Sequence, residues 1–432
     1  MRRVLNFVLF FFILLLVSCK TPSRLVNTSH LEHLYEEINV KNKVLGTIWI
    51  YCESPDFHLV ADSDEGFTCV DDVARALVVY CREMRIHPSK VNLHKIKTLA
   101  NFLIHMKSEN GYFYNFMFHD GSINKLHQNS VPIAAFWTWR AYWAFSEVLL
   151  VDHEELVELQ SQCDSIMKGV ELKIASLCDN RQSSINFDGI VMNECVGRTG
   201  ADQMAEMLKG LANRYMTKPT PEVKLLIQSI GNRLLSTQNG DKNQVPHFAF
   251  LSWKNYWHAW GNGQAYALLL AGQAIHYQAF TTSALLEVDH FYRFCIDQNY
   301  ISGFKLVKVA EGKFQMTESQ KYSQIAYGMS PMILATMEAW KITNDRKYAE
   351  LALELSSWFF GNNEANVKAY DPQSGRCIDG ITSNEDYNKN SGAESTIECL
   401  LSMQAVEKLA VEKLLYKNFR MRYLSNNLVP QK

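Results

Sequence analysis

The sequence predicts an all-α fold: a closed ring of six helical hairpins, an (α/α)6 toroid, with small β-ribbons in the loops that lead into the inner helices. Three observations predict it. Six polar or small-residue segments, at 69–77, 129–137, 200–206, 260–266, 327–334 and 391–397, each open onto a stretch rich in Ala, Leu and aromatics. Anchored on Asp72, Pro132, Asp202, Asn262, Ser330 and Glu394, they recur at intervals of 60, 70, 60, 68 and 64 residues. That period fits two helices plus a long loop. No sustained strand alternation competes with it.

The first element lies outside the fold. Arg2 and Arg3 precede an apolar run at 5–17 that is shorter than the roughly 20 residues a spanning helix needs. Leu16-Val17-Ser18-Cys19 follows and resembles the lipobox of bacterial lipoproteins, in which the Cys becomes the lipidated N-terminus. The expected organisation is a signal peptide at 1–19, a polar tether at 20–29 and one toroid domain at 30–432. The resemblance implies a lipid anchor on Cys19. Lys20 after it implies the outer membrane of a Gram-negative envelope.

Amphipathic stretches at 89–106, 154–177, 222–237, 283–298 and 345–360 carry one apolar face and one charged face, as outer helices should. Residues 31–38 are expected to supply a first, weaker outer partner, and the segment after Leu409 a last helix. The inner helices are apolar on most faces. The intervening loops are much longer than the usual 4–6 residues or so, and loops of that length on a rigid scaffold tend to carry function. Alternation at 47–51 and 304–309 marks the ribbons.

Composition excludes some classes. A net charge of −2 with no basic block gives nucleic acid no footprint. No P-loop, Ser nucleophile elbow or H-E-x-x-H zinc motif occurs, and no metal or organic cofactor is implied. Beyond Cys19, nine scattered Cys read mostly as small buried apolar residues, with room for one or two disulfides. Nine Trp suit a cleft that stacks on flat sugar faces, although some must be core.

Asp71, Asp72, Asp202 and Glu394 all stand at the starts of inner helices, which a hairpin ring gathers at one end. Glycoside hydrolysis needs two carboxylates in one cleft, one to protonate the leaving oxygen and one to activate water or attack the sugar. Acidic residues there also cap helices and suit the helix dipole. Arg75, one turn after Asp72, either orients those carboxylates or binds an acidic sugar; Arg198 before Asp202 allows the same two roles. Asn115, His119 and His127 lie in an aromatic frame that includes Trp137, and His258, Trp260 and Asn262 add a second such set. These are the candidate substrate-binding residues. Asp379 is a further carboxylate for the acid/base pair, although Asp-Gly after Cys377 reads more simply as a turn.

The segments 110–117, 358–363, 370–380 and 388–396 resemble those of a poorly characterised branch of bacterial six-hairpin carbohydrate-active proteins. Asn110-Gly111-Tyr112-Phe113-Tyr114-Asn115-Phe116-Met117 is similar to that branch's G-x-F-x-N-F-M segment, and 70–77 to its first inner helix. The resemblance spans nearly the whole mature chain and implies the toroid and a saccharide substrate. This chain departs from the branch in having Asn129-Ser130-Val131-Pro132 where acidic residues and a His usually stand.

The expected function is a glycoside hydrolase acting on a poly- or oligosaccharide, with Asp72 and Glu394 as the leading acid/base pair and Asp202 and Asp71 in reserve. A polysaccharide lyase or sugar epimerase is the same-fold alternative and would use a Tyr/His pair from Tyr112, Tyr114, His119 and His258. The rival from another class is a non-catalytic glycan-binding lipoprotein.

Overall fold

The structure is a computed structural model that describes residues 24–178, 184–195, 200–411 and 413–423. Cys19 and Arg198 lie outside the described residues. After a short helix α1 (Ser29–Leu34), the inner helices are α2 (Val70–Ile86), α4 (Phe136–Leu149), α6 (Ala201–Thr217), α8 (Gln264–Ile275), α11 (Ala326–Thr343) and α13 (Ala393–Glu407). The outer ones are α3 (Lys90–His105), α5 (Val157–Leu177), α7 (Pro221–Leu235), the pair α9 (Gln278–Leu286) and α10 (Tyr292–Asp297), then α12 (Arg346–Ser356) and α14 (Lys413–Tyr423). Each inner helix packs on the next, and α13 packs back on α2 to close the ring.

Short turns join each inner helix to the outer helix that follows it. The ring therefore opens on inner α2 and ends on outer α14. This corrects the expectation for 31–38: only Ser29–Leu34 is helical, Tyr35 starts a strand, and α1 packs against the last inner helix, α13. Two helix starts also move. Pro132 and Asn129 remain in a loop, and the helix begins at Phe136, because the Asn110 side chain holds the Pro132 carbonyl at 2.8 Å. Ser330 lies inside α11, which starts at Ala326, so Tyr327 occupies its first turn. Pro331 has no N–H to give to the Tyr327 carbonyl.

The inner wall is close-packed. Trp139, Tyr142, Phe145, Leu208, Leu268, Ile333 and Leu400 have no solvent exposure. Outer helices cap themselves: Ser89, Thr220 and Asp345 accept from Asn92, Val223 and Lys347 N–H groups. Of the inner helices only α2 has a side-chain N-cap, the Cys69 thiol. The other five lack a side chain at the N-cap position itself, and the inner-helix N-termini face one mouth and bias it toward negative charge.

Ribbons fill the loops at that mouth. β1 (Tyr35–Val40) pairs with β2 (Lys43–Ile48), β3 (Tyr51–Glu53) with β4 (His58–Val60), β5 (Thr68–Cys69) with β6 (Phe116–Met117), and β7 (Ile185–Phe187) with β8 (Ile190–Met192), all antiparallel. β9 (Tyr256–His258), β10 (Gly303–Ala310) and β11 (Lys313–Gln320) form a three-stranded sheet in the order β11-β10-β9. A disulfide joins Cys178 to Cys195 across the β7–β8 loop. Cys52, Cys69, Cys81, Cys163, Cys295, Cys377 and Cys399 are free and buried. Among the described residues no helix is long and apolar enough to cross a membrane.

Candidate active site

Six elements deliver side chains to the mouth: Asp71, Asp72 and Arg75 from α2, Arg140 from α4, Asp202 and Glu206 from α6, His258 and Trp260 from the loop before α8, Tyr327 from α11, and Glu394 and Glu398 from α13. Spacings of three or four residues keep each pair on the axial face of its helix.

Arg75 is the hub, and only 3% of its side chain is exposed. Its Nη2 donates to Asp72 Oδ1 at 2.7 Å and to Glu394 Oε2 at 3.3 Å, and its Nη1 donates to Glu398 Oε1 at 2.9 Å. Burial pushes the Asp72 and Glu398 carboxyls up, and Arg75 opposes the shift in each case. The other Asp72 oxygen accepts from the Cys69 thiol at 3.2 Å, so this carboxylate is enclosed on both sides. Glu394 is different: 44% of its side chain is open to solvent.

Arg140 forms the second node. Its Nη1 lies 2.8 Å from Asp71 Oδ1, an ion pair without hydrogen-bond alignment, and its Nη2 donates to the Tyr327 phenol oxygen at 2.7 Å. The Asn115 side-chain oxygen Oδ1 accepts from the Asp71 backbone N–H at 3.2 Å. The Tyr327 ring sits between two guanidiniums, with Arg75 5.1 Å and Arg140 5.2 Å from its centroid. Desolvation is the largest cause raising the Tyr327 phenol, and the two arginines oppose it.

Across the axis, His258 Nε2 lies 3.2 Å from Asp202 Oδ2, and its Nδ1 faces the Trp260 carbonyl. The imidazole stacks on the Trp260 indole with centroids 3.7 Å apart, and the Phe136 ring lies tilted 6.1 Å away, yet Trp260 stays 43% exposed. Gly261 beside them has φ +74°, a left-handed backbone that favours glycine, and a Cβ there would lie 3.5 Å from the Tyr327 oxygen, 3.7 Å from the Asp202 Cβ and 3.9 Å from the His258 ring, all ordinary contact distances. Asp202, His258 and Tyr327 therefore border Gly261. Lys209 Nζ lies 2.8 Å from Glu206 and 3.8 Å from the Trp143 ring centroid, its amine lowered by burial. Asn262 is buried with no protein partner for either amide atom.

Geometry divides the four carboxylates at helix starts. Asp72 and Glu394 bond the Arg75 side chain, and Asp71 pairs with Arg140, rather than their own helix N–H groups. Asp202 does both: its Oδ1 accepts from the Gln203 N–H at 2.7 Å, and its Oδ2 faces His258. The α13 terminus is served by Asp379, which accepts from Gly392 N–H at 2.7 Å and Ser395 Oγ at 2.6 Å. Asp379 is thus a cap for the helix that carries Glu394, not merely a turn residue.

Other expected substrate-binding residues stand apart. His119 pairs with Glu36 at 3.3 Å and packs on Trp49 and Phe67. His127 lies 3.5 Å from Asp64 and edge-on to Phe116. Trp137 is core: it is 6% exposed, and its indole N–H goes to the Phe113 carbonyl at 2.7 Å. Tyr112 and Tyr114 sit against Lys173 and Lys125. Sequence reasoning missed Arg140, Tyr327 and Glu398. A usable signal existed for one of them, since Arg140 is the only basic residue in an otherwise aromatic inner helix. Among the described residues no cluster of three or more His, Cys, Asp or Glu side chains has the geometry of a metal site.

No family model and no curated protein matches this sequence. Solved structures do. The cellobiose 2-epimerase of Bacillus thermoamylovorans superposes with a TM-score of 0.60 at 11% identity, covering 88% of this chain and 95% of that one. A family 76 glycoside hydrolase from a bovine Bacteroides thetaiotaomicron strain gives 0.58 at 9% identity, over 91% and 78%. The α-1,2-mannosidase of Trichoderma reesei gives 0.56 at 12% identity, over 80% and 77%. At such identities the likeness establishes the fold, the (α/α)6 toroid.

Proposed function

We propose that this protein is a carbohydrate-active enzyme, a glycoside hydrolase whose substrate enters the mouth formed by the inner-helix N-termini. The observation that carries this reading is Glu394: a half-exposed carboxylate held on the Arg75 guanidinium, at the same mouth as the exposed Trp260 platform. Glu394 is the group that meets the glycosidic oxygen, and Asp71, 19% exposed, is the second carboxylate at the mouth. Asp72 shares Arg75 Nη2 with Glu394, so the two bonded oxygens, 2.7 and 3.3 Å from it, are no more than about 6 Å apart. Its enclosure makes it a positioning residue for Arg75 rather than the acid. Solved structures of this fold carry the names of both hydrolases and epimerases. An epimerase reading rests on His258 and Tyr327, which both border Gly261.

The test is incubation with neutral and uronate-containing plant, host and microbial saccharides, followed by mass spectrometry. Hydrolysis adds the mass of water, epimerisation leaves the mass unchanged, and elimination leaves an unsaturated uronate. Full turnover by both Glu394→Gln and Asp71→Asn would overturn the hydrolase assignment.

We further propose attachment through lipid on Cys19 to the outer membrane. The support is the basic start, the short apolar run and the lipobox-like tetrapeptide. Cys19→Ala is expected to move the protein from the membrane to the soluble fraction.

A further inference from the structure

We propose that the groove running outward from Trp260 over the β9–β10–β11 sheet is a second sugar subsite, so that the substrate is a neutral oligosaccharide of at least two units rather than a monosaccharide derivative. This rests on the carbohydrate reading above. The groove has a volume of about 280 Å³, at the lower edge of the roughly 300–1,000 Å³ of small-ligand sites, and its lining includes Trp260, His258, Tyr256, Tyr322, Glu318 and Gln320.

Trp260 has one face covered by His258, yet the residue is 43% exposed and lines the groove. An indole fixed by a stacked imidazole and still widely exposed is suited to stack on a pyranose. Glu318 supplies the second, independent observation. The β10–β11 register passes from Gly303↔Gln320 to Lys305↔Thr317, so β11 carries one extra residue there, a β-bulge. Glu318 in that bulge has φ +50°, a backbone state that non-glycine residues avoid.

The bulge aims the carboxylate at β9, where Tyr256 Oη donates to Glu318 Oε2 at 2.9 Å. The remaining oxygen, Oε1, is 3.9 Å from Lys305 Nζ, too far for a hydrogen bond, because Lys305 is drawn to Asp188 at 3.2 Å. Glu318 thus keeps one oriented acceptor for a sugar hydroxyl, with the Gln320 amide beside it. Its negative charge, with Glu394 at the mouth, disfavours uronates and favours neutral sugars.

The experiment uses the whole protein and compares an aryl monoside with the di- and trisaccharides of the sugar it processes, for wild type and for the double variant Glu318→Ala, Gln320→Ala. Wild type should gain at least tenfold in kcat/KM from the monoside to the disaccharide, and the variant should lose most of that gain. Quenching of Trp fluorescence by the oligosaccharide should weaken in parallel. No gain with length in wild type, or a gain kept intact by a folded variant, overturns the subsite while leaving the hydrolase reading in place. Absence of both turnover and oligosaccharide binding in wild type sinks the two together.

Discussion

Arg140 donates to the Tyr327 phenol oxygen at 2.7 Å while its other terminal nitrogen faces Asp71 at 2.8 Å, so one guanidinium from α4 ties α11 to α2 across the mouth. Its charge is buried, 7% exposed, and its plane also lies over the Phe136 ring at 4.9 Å. Lys cannot reproduce that fork. Arg140→Ala should cost about 3–5 kcal/mol, the usual loss when one partner of a buried pair is removed. Arg140→Lys should cost less but lower turnover by misplacing Asp71. Denaturant unfolding alongside kinetics on the same variants checks both.

Glu394 and Asp72 share Arg75 but should behave oppositely on substitution. Glu394→Gln removes a half-exposed group, and stability should stay within about 0.5 kcal/mol of wild type while turnover falls by two orders of magnitude or more. Asp72→Asn leaves Arg75 short of one buried counter-charge and should destabilise by a few kcal/mol. If thermal unfolding shows Glu394→Gln as the destabilised variant and Asp72→Asn as the inactive, stable one, the assigned roles are reversed.

The six-fold period made the ring legible because helical hairpins repeat on the chain as they repeat in space. Asp71, Asp72, Asp202, Glu394 and Arg75 were legible for the same reason, since each sits at a helix start that the ring must gather. Arg140 and Tyr327 were not. Arg140 is one turn inside its helix, and Tyr327 was hidden by taking Ser330-Pro331 as the start of α11, although Pro in a first-turn position was a fair guide. Their partnership spans 187 residues of sequence and leaves no local trace. His119 and His127 misled because polar groups among aromatics look alike whether they face sugar or, as here, Glu36 and Asp64. The Glu318 bulge was illegible, since register exists only once strands pair.

The Cys178–Cys195 bridge closes a loop with a sequence separation of 17 and pins the β7–β8 ribbon between α5 and α6. A loop of that size is worth about 3 kcal/mol in the chain-entropy view. Cys178→Ser, or reduction of the wild type, should lower the melting temperature by several degrees, whereas Cys81→Ser should be insensitive to reductant, because Cys81 is a buried free thiol. Equal melting curves with and without reductant would mean that the bridge contributes nothing.

Stability should also fall as the pH rises from about 4.5 to about 8, through Glu287. This carboxyl is buried in the π-turn between α9 and α10, and among the described residues no cation counters its burial. It accepts from the Phe250 backbone N–H at 2.7 Å, and Tyr292 Oη reaches its other oxygen at 3.3 Å. Burial, opposed only weakly by these bonds, pushes it up from 4.5 to about 8. Between those values the folded state holds a proton that the unfolded chain has released, so stability is greatest below pH 4.5 for this group and declines toward pH 8, by up to about 1.4 kcal/mol per pH unit. Glu287→Gln keeps the acceptor for Phe250 and cannot ionise. Its unfolding free energy, measured in denaturant from pH 5 to 9, should lose that decline and exceed the wild-type value at pH 8. A wild-type profile that is flat or rising across this window, with the variant parallel to it, would show that Glu287 is already ionised in the folded protein.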